Sequence, residues 1–101
     1  MHKEQRVIFG SQQTPLEGLF ARAEGTKGAV ILHPHSLMGG DMDNPVVMTM
    51  GRALYSAGFS TLRFNFRGVG GSAGRFDKGR GEGDDLLAAA AYLEAQGCRQ
   101  I

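Results

Sequence analysis

The chain has 101 residues, 42% hydrophobic and 21% charged, with a formal net charge of +1. That allows one ordinary globular domain and gives no electrostatic case for nucleic acid or an anionic membrane as partner. A single cysteine, Cys98, excludes an internal disulfide. The first residues lack the apolar core of a signal peptide and the longest apolar run, 86–93, is too short to span a bilayer, so a cytoplasmic location is expected.

Residues 6–9 predict a short strand and 10–15 a turn, and 16–23 alternate apolar and polar side chains. This reads as an antiparallel hairpin. A second turn over 24–28 leads into 29–32, Ala-Val-Ile-Leu, an apolar run suited to a strand covered on both faces. His33-Pro34 ends that strand, because proline cannot donate to a ladder and keeps its predecessor extended. Gly39-Gly40 permits close backbone approach. Asn44 then reads as a helix cap with Pro45 at the first helical position. The helix is predicted over 45–57, with Val46, Val47, Met50, Leu54 and Ala57 on one face and Gly58 as its stop.

A β-rich strand over 59–66 follows, which makes a right-handed βαβ unit with parallel strands. Ligands of open α/β sheets bind outside the carboxyl ends of such strands, so the residues after 32 lie where a site is expected. Residues 67–83 form a long glycine-rich loop, functional or mobile in a compact domain. A second helix is predicted over 84–96. Asp84 and Asp85 stand in its first turn, where the dipole favours acids, Leu86, Leu87, Ala90 and Leu93 share one side, and Gly97 ends it. Residues 98–101 lead toward another strand.

These residues carry a resemblance. Leu32-His33-Pro34-His35, Gly39-Gly40 and Met42-Asp43-Asn44, followed by Leu62-Arg63-Phe64-Asn65-Phe66-Arg67-Gly68-Val69-Gly70 and Ser72, resemble the amino-terminal half of the α/β-hydrolase fold. The nearest branch is that of small bacterial predicted hydrolases related to dienelactone hydrolases. The resemblance implies fold class α/β: a partial α/β-hydrolase fold, with an antiparallel first strand pair followed by parallel strands with crossover helices. It implies one incomplete domain over 1–101, ending at about the start of the fifth strand.

The implied activity is hydrolysis of a small carboxylic ester or related acyl substrate, through a serine or cysteine nucleophile. In the family the nucleophile elbow, the acid and the histidine follow the fifth strand, so all are expected beyond Ile101. The family's oxyanion-hole N–H maps onto the backbone of His35 and Ser36. No cofactor and no metal are implied. The family's strand order, 1-2-4-3-5, leaves 29–32 as an open edge, so the isolated chain is expected to be marginally stable and either to self-associate through that edge or to need its carboxyl-terminal half. Two alternatives stand beside this reading: a non-catalytic fragment, and a glycine-loop nucleotide- or phosphate-binding βαβ module.

Several patterns compete with it. Gly70-Gly71-Ser72-Ala73-Gly74 matches G-x-S-x-G as a string. The elbow needs a strand running directly into a sharp turn and a helix, and Ser72 has neither, so it is not expected to be a nucleophile. Residues 68–73 fit G-x-G-x-x-A but open no predicted helix for a pyrophosphate. His33 and His35 share a face of an extended segment, but the remaining histidine is His2 and 41–43 lack the glycine of a calcium loop, so local hydrogen bonding is expected instead. Arg67 is expected to form a structural ion pair with Asp84 or Asp85. Cys98 is expected to behave as a small hydrophobe.

Overall fold

Strict alternation along Thr61-Leu62-Arg63-Phe64-Asn65-Phe66 organises the molecule, because successive strand residues face opposite sides of a sheet. The structure, a computed structural model, describes residues 2–33, 40–75 and 80–101. Its elements are β1 (Gln5–Gly10), β2 (Pro15–Ala21), β3 (Gly28–Ile31), α1 (Pro45–Ser56), β4 (Ser60–Phe64) and α2 (Arg80–Ala95). The sheet order is β1-β2-β4-β3. β1 pairs antiparallel with β2 and β2 with β4, while β3 and β4 run parallel. This is the mixed α/β architecture expected from the sequence. On the outer side of β3, the Gly28 N–H donates to the Gln100 carbonyl at 2.7 Å in a parallel bridge, so 98–101 do approach as a further strand.

The two sheet faces differ. Toward α2, Leu62 and Phe64 of β4 join Phe9, Leu16, Phe20, Ala89, Leu93 and Cys98 in one apolar cluster. Phe64 sits edge-on to Phe9 and Phe66, with ring centroids 5.5 and 5.1 Å away. Toward α1, the intervening residues Thr61, Arg63 and Asn65 are polar yet only 1%, 5% and 3% exposed. Buried polar groups at that depth must be hydrogen-bonded, and these are: the Thr61 hydroxyl meets His2 Nε2 at 3.5 Å, and the partners of Arg63 and Asn65 are set out below.

α1 starts as its sequence dictates. The Asn44 Oδ1 accepts from the N–H groups of Val46 and Val47 at 2.9 and 3.4 Å, with Pro45 following. The chain leaves α1 through Gly58 at φ +97°, a backbone conformation other residues avoid. The buried face is narrower than the apolar periodicity suggests. Val47 and Gly51 are buried, whereas Val46 and Met50 are 64% and 48% exposed. Gly51 sits over Ile31, so the helix rests on that line and turns Val46 and Met50 outward.

α2 departs more from expectation. It begins at Arg80, not at Asp84, so the first-turn acid is Glu82, and Asp84 and Asp85 lie a turn further in. Its buried residues are Gly81, Asp85, Ala89 and Leu93, while Leu86 and Leu87 are exposed. The cause is Arg67. Its guanidinium lies against Gly81, where a Cβ would collide with it, and pairs with Asp85 one turn on. This contact turns the Gly81–Asp85–Ala89 line inward. Gly97, at φ +98°, ends the helix region as expected.

Candidate functional site

β3 and β4 are parallel, so the segments leaving them emerge on the same edge of the sheet. His35 and Ser36, the sequence-predicted oxyanion donors, lie outside the described residues. The residues on either side of 34–39 are described, and both are tied to the end of β4. On one side, His33 is buried and its Nε2 accepts the Phe66 N–H at 3.0 Å, with its ring edge-on to Phe66. That bond requires an unprotonated Nε2. On the other side, the Met42 N–H donates to the Asn65 Oδ1 at 2.8 Å. Consecutive residues of one strand end thus anchor both flanks.

Arg63 strengthens the second anchor. Its Nε and Nη2 donate to the two Glu4 carboxylate oxygens at 2.7 and 2.9 Å. Its Nη1 donates to the Asp43 Oδ1 at 3.0 Å and to the Met42 carbonyl. A planar guanidinium suits this fork, and it joins the residues before β1 to the turn before α1. The Arg63 guanidinium holds the Glu4 carboxyl below its ordinary value, chiefly through these hydrogen bonds.

The loop after β4 is tied down equally. Ser72 is buried. Its hydroxyl donates to the Asn65 carbonyl at 2.6 Å and accepts the Glu17 N–H at 2.9 Å. Ser72 is thereby stapled between β2 and the end of β4, with its proton held by a backbone carbonyl. The Gly68, Val69 and Ser72 N–H groups donate to the Ala73, Phe66 and Val69 carbonyls. The Gly71 N–H donates to the Glu17 carboxylate, which also takes the Asn65 Nδ2 at 2.7 Å and an Arg6 Nη2 at 3.1 Å. These donors, Gly71 first, hold the Glu17 carboxyl below its ordinary value. A protein carboxylate therefore already takes a glycine-loop N–H, a group that a phosphate-binding loop would leave free for its ligand.

Arg67 makes the expected ion pair, and its partner is Asp85. The Arg67 Nη2 donates to Asp85 Oδ1 at 2.8 Å, and the Arg67 backbone N–H donates to Oδ2 at 2.9 Å. Among the described residues, no group of three or more His, Cys, Asp or Glu could hold a metal ion. A cavity of about 430 Å³ lined by Lys3, Arg22, Tyr55 and Tyr92 lies where β2 ends, away from this edge. No described helix is long and apolar enough to cross a membrane. The roles of Glu4, Glu17, Arg63 and Asn65 were not foreseen. For Arg63 and Asn65 the one sequence signal is the polar half of the 61–66 alternation, since a central strand leaves such residues no route to water; Glu4 and Glu17 carry no such signal.

No family model matches the chain. A Rickettsia prowazekii protein, uncharacterised RP471, is 42% identical over 91 residues, 88% of this chain and 38% of its own length. A Coxiella burnetii structure described as an α/β serine hydrolase homologue superposes with a TM-score of 0.85 at 39% identity, covering 99% of this chain and 49% of its own. XC6422 from Xanthomonas campestris, described as an α/β serine hydrolase without a lid, gives 0.84 at 39%, covering 94% and 46%. The chain thus spans about half the length of these structures or less. By motif, strand order and superposition alike, it carries the amino-terminal part of the α/β-hydrolase fold.

Proposed function

We propose that this chain supplies the amino-terminal half of an acyl hydrolase that acts on a small carboxylic ester or related acyl substrate. The nucleophile, a serine or cysteine, and the acid and base lie on residues beyond Ile101. The chain's own contribution is one oxyanion-hole donor, the backbone N–H of His35 or Ser36. The observation that carries this reading is that described residues before and after 34–39, His33 and Met42, are both hydrogen-bonded to the end of β4 at the sheet's carboxyl edge. Oxyanion donors act by being held in place before charge develops, and one such donor is worth about 10²–10³ in kcat. A cytoplasmic location belongs to the same proposal, and the unpaired, buried Cys98 fits a reducing compartment.

Hydrolysis of p-nitrophenyl acetate tests it. The polypeptide read through its natural downstream frame turns over, and alanine at its elbow nucleophile abolishes that. The 101 residues alone do not turn over, and they self-associate through the outer edge of β3 beyond the Gln100 bridge. Turnover by the 101-residue chain that Ser72→Ala abolishes would overturn the reading, as would an inert extended polypeptide. A monomeric 101-residue chain in sedimentation at tens of micromolar would remove the edge proposal. The nucleotide-binding alternative is disfavoured by Glu17, whose carboxylate already accepts the Gly71 N–H of the glycine loop and sets a negative charge there.

A further inference from the structure

Four hydrogen bonds converge on Asn65, which is 3% exposed. Its backbone N–H donates to the Glu17 carbonyl at 3.0 Å, and its carbonyl accepts from the Ser72 hydroxyl at 2.6 Å. Its side chain reaches both ways. The Oδ1 accepts from the Met42 N–H, on the segment entering α1. The Nδ2 donates to Glu17 Oε1, the same oxygen that takes the Gly71 N–H of the glycine loop. The two ends of the amide are unambiguous, because a backbone N–H can only donate and a carboxylate can only accept. No other side chain of that size offers one acceptor and one donor in this way. Aspartate keeps the acceptor and meets Glu17 with like charge. Leucine keeps neither.

We propose that Asn65 is a positioning residue, a single amide that holds the segment before α1 and the glycine loop after β4 in one relation, with Glu17 as its relay. The coupling stands on the geometry alone. Its consequence for catalysis rests on the acyl-hydrolase reading, because the segment it holds follows the oxyanion donors named there.

Amide hydrogen exchange on the 101-residue chain, followed by NMR, tests the coupling. Glu17→Ala, a change on β2, speeds exchange at Met42 about tenfold, transmitted through the Asn65 amide that bonds to both; that factor is the scale of one weakened hydrogen bond. Glu17→Gln, whose Oε1 can still take both bonds, leaves Met42 within twofold of the parent. Unchanged exchange at Met42 in Glu17→Ala, with Gly71 accelerated, overturns the coupling. Should Glu17→Ala accelerate the core amides of Leu62 and Leu93 equally, Asn65→Asp decides. It frees Gly71 more than Met42 if the amide is the link, and uniform acceleration there also overturns the proposal. In the extended polypeptide, Asn65→Asp lowers kcat for p-nitrophenyl acetate about tenfold and leaves KM within twofold. Parent-level kcat in that variant overturns the positioning role. An inert parent polypeptide removes the hydrolase reading alone, and the exchange result stands.

Discussion

The two faces of β4 show how one strand divides its labour. Toward α2 it presents Leu62 and Phe64, followed just beyond its end by Phe66, whose side chains join or pack against an apolar cluster. Toward α1 it presents Thr61 and Arg63, with Asn65 next after its end, all buried and committed to hydrogen bonds. The first face removes apolar area from water, a non-directional gain that scales with area. The second gains little net energy per bond, but each bond has a direction. The apolar face therefore holds the sheet together, and the polar face decides where the segments beyond β3 and β4 go. A site at the carboxyl edge needs both.

The sharpest way to break this division is Phe64→Ala. Phe64 is fully buried and edge-on to two other rings, so truncation costs about 3–5 kcal/mol. Urea unfolding reads this as a large drop in midpoint that involves both faces. Arg63→Lys is next. It keeps the charge and loses the fork to Glu4, Met42 and Asp43, at about 1.5–3 kcal/mol. If the comparison holds, exchange at Met42 and Asp43 rises more than exchange in the apolar cluster. Uniform acceleration would put Arg63 in the same role as Phe64.

Acid sharpens the comparison further. The folded-state pKa of Glu4 lies below its ordinary 4.5 because of Arg63, and that of Glu17 lies below its ordinary 4.5 because of the Gly71 N–H. Groups with depressed folded pKa values contribute stability that is present above the unfolded value and lost as pH falls through the folded one. Urea midpoints should therefore fall on acidification below about pH 4.5. Glu4→Gln should lower the midpoint at pH 7 and flatten the fall, whereas a fall of unchanged steepness in that variant would count against Glu4.

The smallest effect is a pair of glycines in α2. Gly81→Ala drives a Cβ into the Arg67 guanidinium, whereas Gly83→Ala meets nothing within 4 Å. Gly83→Ala should stabilise by about 0.5–1 kcal/mol through helix propensity, and Gly81→Ala should destabilise. Thermal melts of the two variants should move in opposite directions.

Much of the fold is legible because its signals are local. Asn44-Pro45 starts α1, Gly58 and Gly97 end helices, and alternation over 16–23 marks β2, all within a turn or two of chain. That the segments after β3 and β4 leave on one edge also follows from strand order, since a parallel βαβ unit puts both on one side. The beginning of α2 was not legible. Gly79, Gly81 and Gly83 read as helix breakers in isolation, and helix propensity for glycine is indeed poor. What overrides it is the Arg67–Asp85 pair, which joins residues eighteen apart in sequence and needs a bare backbone at Gly81. The rotation of both helices was misread for the same reason, because apolar spacing does not say which residues will meet a neighbour.

What the sequence by itself determined, then, is the order of elements, the caps of α1, the mixed sheet and the edge on which the segments leaving β3 and β4 emerge. These depend on backbone conformational preference and side-chain period, which neighbours in the chain control. Only the tertiary structure decided that Glu17 takes the Gly71 N–H, that Asn65 bridges two loops and that Arg63 clamps Glu4 and Asp43. Those bonds join residues from different strands, with Asn65 and Glu17 forty-eight positions apart. Hydrogen-bond partners at such separations are chosen by distance and direction in the folded chain, to which no local pattern has access.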